Sequence, residues 1–228
     1  MKILIGAPID EQKLYCWEEF KNGLIQFGRD LGHDVLLVDT SINRAMQHRI
    51  KNEGFFYRNV WKKKPMDRVV AARNIIRCRA LRGYADYKYS HVLMLDADAI
   101  LHCDVADILK EHNKSIISAL MNTIKKNGMP GPVPLVLNTF GFFDHLDLDA
   151  IGTGLRKVDR IGFGCALIKV NVLANTQIRC ERDSAGKLVF GEDYCFSDDC
   201  KDKDYKLWVD TDLQVKHLII GQWQWDTA

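Results

Sequence analysis

No apolar run in this sequence approaches the roughly 18 residues that a membrane-spanning helix needs. Its most apolar stretch, "HVLMLDADAIL" (91–101), is broken by two aspartates. A leader peptide is not legible either, because "MKILIGAPID" reaches Pro8 and Asp10 after only a few apolar residues. Charge of one sign is lacking too. The 32 basic and 30 acidic residues leave a net charge of +2, so no global field points to nucleic acid as a partner. The seven cysteines are odd in number and contain no Cys-x-x-Cys pair, which disfavours a disulfide framework and fits reduced thiols in the cytoplasm. Glycine and proline are scattered, and neither a repeat nor a low-complexity tract divides the chain, so one domain over 1–228 is the simplest expectation.

Hydrophobic residues make up 47% of the chain, enough for a sizeable core without staples. "KILIGAP" (2–8) reads as a buried strand, and 11–32 as one helix with Leu14, Trp17, Phe20, Leu24 and Phe27 on a stripe. "DVLLVD" (34–39) reads as a second strand, so the chain opens with a strand, helix, strand unit, which implies parallel strands and an α/β nucleotide-binding sheet. A basic and aromatic stretch, 55–65, precedes a helix over 66–84 that Gly83 is expected to end. "HVLML" (91–95) predicts a central strand, which places Asp96 and Asp98 at its carboxyl end, where open α/β sheets bind ligands. Beyond it come a helix over 104–112 capped by Asp104, a strand over 115–120 and an edge strand over 131–138. An irregular region, 139–160, leads to a strand over 161–170, a helix over 192–202 and two short strands over 205–217.

Asp96 and Asp98, at spacing two, can point to one side of an extended chain and converge on a hard cation. Mn2+ or Mg2+ held by so few protein oxygens is completed by water and phosphate oxygens, so a metal diphosphate is a natural guest. Glu192 and Asp193 open a helix, where the dipole alone accounts for acidic residues. A carboxylate there, kept ionised by the dipole, can also serve as a general base. Gly162 and Gly164 bracket Phe163, a weak signal of close backbone approach, and His217 fits a structural role or metal ligation.

In their order, "ARN", "LMLDAD", "GFG", "GED" and the late histidine make the chain resemble GT-A fold glycosyltransferases, in flavour the inverting family two enzymes. The resemblance runs from "KILIGAPI" to His217 and implies an α/β fold: a single GT-A-like domain with a Rossmann-like, mixed central sheet flanked by helices. It implies a nucleotide-sugar-binding half over about 1–103 and an acceptor-binding and catalytic half over about 104–228. By resemblance Asp98 ligates the metal, Asp96 meets the ribose or a metal-bound water, Ala97 lies between them in the donor site, and His217 completes the metal site. Gly162, Phe163 and Gly164 border the donor sugar, Asp193 is the catalytic base, and Glu192 is its acceptor-side neighbour. Arg73 and Asn74 fall near the nucleotide base, Ala7, Pro8 and Asp10 line the nucleoside pocket, and Asp39 meets the base or ribose.

The implied reaction moves a single sugar from a UDP- or GDP-sugar to a hydroxyl of a glycan, lipid or protein, with inversion and with Mn2+ or Mg2+. Trp223 and Trp225 suit stacking on a sugar as well as packing on the core, and 55–64 suits an anionic membrane surface as well as a solvated loop. A haloacid-dehalogenase-like phosphatase would carry Asp-x-Asp after its first strand, followed by Thr or Val, whereas here "AIL" follows at residue 99. A sugar nucleotidylyltransferase would carry a glycine-rich basic loop after the first strand, where "GAPIDEQKLY" offers one glycine. A sugar-nucleotide-binding module without catalysis would dispense with Asp193.

Overall fold

The computed structural model describes residues 2–42, 44, 46–86, 88–124, 130–132, 135–137, 143–219, 222 and 223. Strands β1 (Lys2–Ile9), β2 (Asp34–Asp39), β3 (Phe56–Asn59) and β4 (Tyr89–Leu95) lie parallel in the order β4-β1-β2-β3. Two residues after the turn that follows β4 form β5 (Ala99–Ile100), and β6 (Ile116–Leu120) returns to the sheet. The pairs β7 (Asn122–Ile124) with β8 (Pro130–Pro132), and β9 (Leu135–Leu137) with β10 (Phe143–His145), are small antiparallel ribbons. Beyond them, β11 (Leu155–Val158), β12 (Cys165–Lys169) and β15 (Leu207–Gln214) complete an eight-stranded sheet, order β11-β15-β6-β12-β4-β1-β2-β3. β12 runs antiparallel to both β4 and β6, so the sheet is mixed. A hairpin of β13 (Glu181–Arg182) and β14 (Leu188–Phe190) precedes the last helix, and β16 (Lys216–Ile219) pairs with β5 and β17 (Gln222–Trp223).

Alternation along the strands builds a core on each face of this sheet. Ile3, Ile5, Ala7 and Ile9 of β1 join Leu93 and Leu95 of β4 in one core, under Trp17, Phe20 and Leu24 of α1 (Trp17–Leu24). Leu4, Val92 and Met94 face the other way, against Ile76 and Ala80 of α3 (Pro65–Ala85). Burial on both faces explains why these strands read as unbroken apolar runs. Gly6 makes the helix contact possible: a Cβ there would sit 2.3 Å from Ile76 Cγ2. The remaining helices are α2 (Gln47–Asn52), α4 (Val105–Glu111), α5 (Val170–Asn175) and α6 (Glu192–Lys201).

Several local expectations are corrected. The helix expected over 11–32 is a 3-10 turn (Glu11–Cys16), then α1, then a π-type turn (Ile25–Arg29), and Leu14 is left exposed. Gly83 does not end α3; a Cβ there would strike the Tyr89 ring at 2.2 Å, so its smallness serves packing. Asp104 occupies the N-cap position of α4, yet its side chain makes no capping bond. The expected edge strand over 131–138 is divided between β8 and β9 in separate ribbons, with 133, 134 and 138 outside the described residues. The irregular 139–160 region contributes β11 to one sheet edge, and the basic stretch contributes β3 to the other.

Candidate active site

The site forms where β1 and β4 end. β4 stops at Leu95, and the Ala99 N–H donates to the Asp96 carbonyl (3.0 Å), so Asp96 and Asp98 sit on a turn rather than on the extended chain their spacing predicts. The turn feeds β5, whose Ala99 lies opposite His217 of β16, and the Leu218 N–H donates to the Asp98 carbonyl (2.9 Å). That pairing brings His217 Nε2 to 3.5 Å from Asp98 Oδ1.

The two aspartates meet different cations. Arg73, fully buried on α3, donates to Asp96 Oδ1 (2.5 Å), to the Leu95 carbonyl (3.0 Å) and to the Phe163 carbonyl (3.3 Å). Its expected place beside the nucleotide base is therefore corrected: it lies beneath Asp96 and knits β4 to the glycine loop. Asp96 keeps 47% of its side chain exposed, whereas Asp98 keeps 10%. Burial alone would raise the Asp98 pKa, but His217 and Lys13 together hold it below the usual carboxylate range.

Lys13 carries no recognisable motif and was not expected here. It arrives on the 3-10 turn after β1, and its ammonium bonds Asp98 Oδ2. Burial opposes the charge on Lys13, yet the Asp98 carboxylate outweighs it and the pKa rises. The same turn sends the Cys16 thiol to the Ala97 carbonyl (3.2 Å) and the Tyr15 hydroxyl to the Leu218 carbonyl (3.0 Å), latching both sides of the aspartate turn.

Glu192 and Asp193 open α6 after Gly191. The helix dipole was expected to keep Asp193 ionised, and this is corrected: burial, then the Glu192 charge, push its pKa up to about 7, although the Tyr194 N–H donates to its Oδ1 (2.8 Å). Burial likewise raises Glu192, opposed in part by Arg73. The helix is held to the glycine loop by Ser197, whose hydroxyl accepts from the Ile161 N–H (3.2 Å), and by a two-pronged bond from Arg160 to Asp198 (3.1 and 2.6 Å).

In the glycine loop, the Gly164 carbonyl accepts from the Asp96 N–H (3.0 Å), and a Cβ on Gly164 would lie 2.4 Å from Met121 Sδ. The Phe163 ring packs inward on Phe196, centroids 5.1 Å apart, with the Arg73 guanidinium 5.4 Å from its centroid. Its ring thus supports the loop from below.

Two cavities share a wall at this point. One, of about 240 Å3, runs from Pro8, Asp10 and Lys13 past Thr40 to Asp96, Ala97 and Asp98. The other, about 170 Å3, lies between the Gly162–Gly164 loop, Met121 and Asp193. Asp96 and His217 line both. Arg73 and Glu192 line neither cavity, and three further expected residues are not brought to them. Ala7 is fully buried in the core. Asp39 is fully buried too, its Oδ1 accepting from the Ser41 N–H (2.9 Å), and burial raises its pKa. The Asn74 amide spans α3 and the loop after α5, donating to the carbonyls of Val70 (3.0 Å) and Ile178 (2.7 Å). Trp225 lies outside the described residues, as does the side chain of Trp223.

Among the described residues no three His, Cys, Asp or Glu side chains gather closely enough to hold a metal ion by themselves. Asp98 and His217 nevertheless offer a hard carboxylate and an imidazole side by side. That donor pair fits a divalent cation whose other positions are filled by phosphate oxygens and water.

No family model matches the chain, and no curated protein does. Solved structures do match. A mannosyltransferase, PcManGT from Pyrobaculum calidifontis in complex with GDP-Man and Mn2+, aligns at a TM-score of 0.59 and 11% identity over 96% of this chain and 57% of its own. TarS from S. aureus aligns at 0.56 and 16% identity, over 94% of this chain and 36% of its own. A197 from STIV aligns at 0.52 and 16% identity, over 97% of this chain and 88% of its own. The fold is GT-A-like. A GT-A-like sheet puts the ends of β1 and β4 at the mouth of the two cavities, and there the aspartate turn, the glycine loop and α6 converge. Among the described residues, no helix is long and apolar enough to cross a membrane.

Proposed function

We propose that this GT-A-like chain is a metal-dependent glycosyltransferase that moves one sugar from a nucleotide-diphosphate sugar to an acceptor hydroxyl, with inversion. The observation that carries the reading is that Asp96 and His217 line two neighbouring cavities, one bounded by the Asp98 turn and the other by Asp193. A donor laid along the first cavity would have its nucleoside against Pro8 and Asp10 and its diphosphate near Asp98, on the donor half of the chain, about 1–103. Its sugar would enter the second cavity, lined mainly by the half from about 104 to 228.

Asp98 and His217 would hold Mn2+ or Mg2+, which when bound neutralises charge growing on the leaving diphosphate. Asp96, oriented by Arg73, presents its half-exposed carboxylate to the ribose. Gly162 and Gly164 add no side chain of their own to the sugar cavity, whose wall is completed by Met121 and Asp193. Asp193 takes the proton of the acceptor hydroxyl, and a pKa near 7 suits a base working at neutral pH. Glu192 raises the basicity of Asp193 through its charge and faces the acceptor side. Displacement from the side opposite the diphosphate inverts the anomeric centre without a covalent enzyme intermediate. UDP- and GDP-sugars are the donors to try first, because among the similar structures TarS is in complex with UDP-GlcNAc and PcManGT with GDP-Man.

The test is nucleotide release from a panel of UDP-, GDP- and dTDP-sugars with Mn2+. Release should fall about 100- to 10,000-fold in Asp193→Ala, the usual range for loss of a general base, and comparably in Asp98→Ala. If no nucleotide sugar raises the melting temperature and release is the same in both variants, the reading is wrong.

A further inference from the structure

Away from the active site, a cavity of about 590 Å3 opens between α3 and the edge strand β3. Leu36, Phe56 and Ile75 give it an apolar floor, while Arg58, Arg79 and Arg82 line it with three guanidinium groups and, among the described residues, no carboxylate. Elsewhere in the chain Arg73, Arg160, Arg179 and Arg182 are spent on aspartates. At the cavity, by contrast, Arg58 donates to the Tyr57 carbonyl (2.9 Å), and Arg79 lies over the Phe56 ring, 5.3 Å from its centroid. Phe56 is itself 49% exposed. Immediately after β3, Trp61 is 61% exposed, and Lys62, Lys63 and Lys64 continue the basic surface.

β3 is parallel to β1, β2 and β4, so this basic loop leaves the sheet at the same end as the aspartate turn. An apolar cleft rimmed by arginines that have no carboxylate partner among the described residues, on a strand that leads into an exposed tryptophan and three lysines, matches one kind of ligand in both of its parts. The ligand has a phosphate to meet the guanidinium groups and a hydrocarbon tail to cover the floor. We infer that the α3–β3 flank is a docking site for an anionic phospholipid in a membrane surface, with the cavity taking one lipid and the Trp61–Lys64 loop resting on its neighbours. Two weak anchors of this kind, one apolar and one electrostatic, combine into stable but reversible attachment. The inference stands apart from the glycosyl-transfer reading, because its readout is partition onto vesicles and none of these residues lines the two active-site cavities.

The experiment is flotation of the full chain with phosphatidylcholine vesicles, with and without roughly a third phosphatidylglycerol, at low and high salt. The chain should float only with the anionic vesicles, and less at high salt. Each Lys or Arg near such a surface is worth about fivefold in affinity, so replacing Arg58, Arg79 and Arg82 together by Ala should weaken partition about a hundredfold. Cys78 is exposed on the cavity wall, and Cys78→Trp, which fills the space, should weaken partition by at least about tenfold at an unchanged melting temperature. Should either variant fail to fold, the parent chain alkylated at Cys78 with a bulky maleimide asks the same question.

Three results would overturn the inference: equal flotation with neutral and anionic vesicles, wild-type partition in a folded filled-cavity protein, or arginine-dependent binding of duplex DNA without binding to vesicles.

Discussion

Lys13 and His217 hold opposite oxygens of one carboxylate: the Lys13 ammonium bonds Asp98 Oδ2, while His217 Nε2 lies 3.5 Å from Oδ1. The chain thus supplies its own cation at the position proposed for a metal. An incoming divalent ion must share Asp98 with that ammonium or displace it. Lys13→Met should therefore tighten Mn2+ binding in the absence of nucleotide by about tenfold, since a like charge a few ångströms away is removed. Calorimetric titration reads this directly, and an unchanged Mn2+ affinity would mean that Lys13 and the ion do not compete.

Arg73 should matter more to folding than the aspartate it holds. Its guanidinium is fully buried and serves the carbonyls of Gly6, Leu95 and Phe163 as well as Asp96, so Arg73→Leu leaves those acceptors and a carboxylate unmatched, at about 3–5 kcal/mol. Asp96→Asn keeps an acceptor in place on a half-exposed side chain and should cost about 1 kcal/mol. Urea denaturation of both variants separates the cases; equal losses would contradict the geometry.

Asp193 predicts a pH dependence of known sign. Its pKa is raised to about 7 in the folded chain, against an ordinary value near 4 when unfolded. The folded state thus holds a proton that the unfolded state has released, and stability from this group declines between about pH 4 and pH 7. Asp193→Asn should match the parent near pH 4 and exceed it above pH 7, by on the order of 2 kcal/mol because Glu192 shares the strain. Parent kcat/KM should rise with pH through about 7 as the base ionises. Thermal melts across pH check the first statement and initial rates the second; a variant less stable than the parent at pH 8 would refute the electrostatic account.

Gly164 is needed for close approach rather than for backbone freedom. Gly164→Ala would drive a methyl into the Met121 thioether, and overpacking of this kind costs about 1–3 kcal/mol. The clash is with a flexible side chain, so Met121→Ala on the same chain should recover part of the loss. Melting temperatures of the two singles and the double variant decide it, and strictly additive losses would show that the contact is not the cause.

Much of the fold is legible locally. The buried runs of β1, β2 and β4 and the apolar stripe of α1 follow from side-chain period. The helix at Glu192 follows from acidic residues in a first turn. The chemistry-bearing aspartates and histidine stood out because few residue types can bind a cation or move a proton. Lys13 did not, since a lysine three residues after Asp10 is unremarkable until a 3-10 turn delivers it to Asp98. Arg73 and Asn74 lie elsewhere than expected for a related reason: sequence marks them as neighbours of the site, while burial turns them into its supports.

By itself, then, the sequence determined the apolar runs that bury both faces of the sheet and the identity of the groups able to do chemistry at the ends of its strands. Only the tertiary structure decided which of them meet. The pairing of β5 with β16 sets His217 beside Asp98, and the packing of α6 against the glycine loop buries Asp193 until its pKa nears neutrality. Contacts and desolvation between segments far apart in the chain leave no local pattern behind, so they become visible only when the chain is folded.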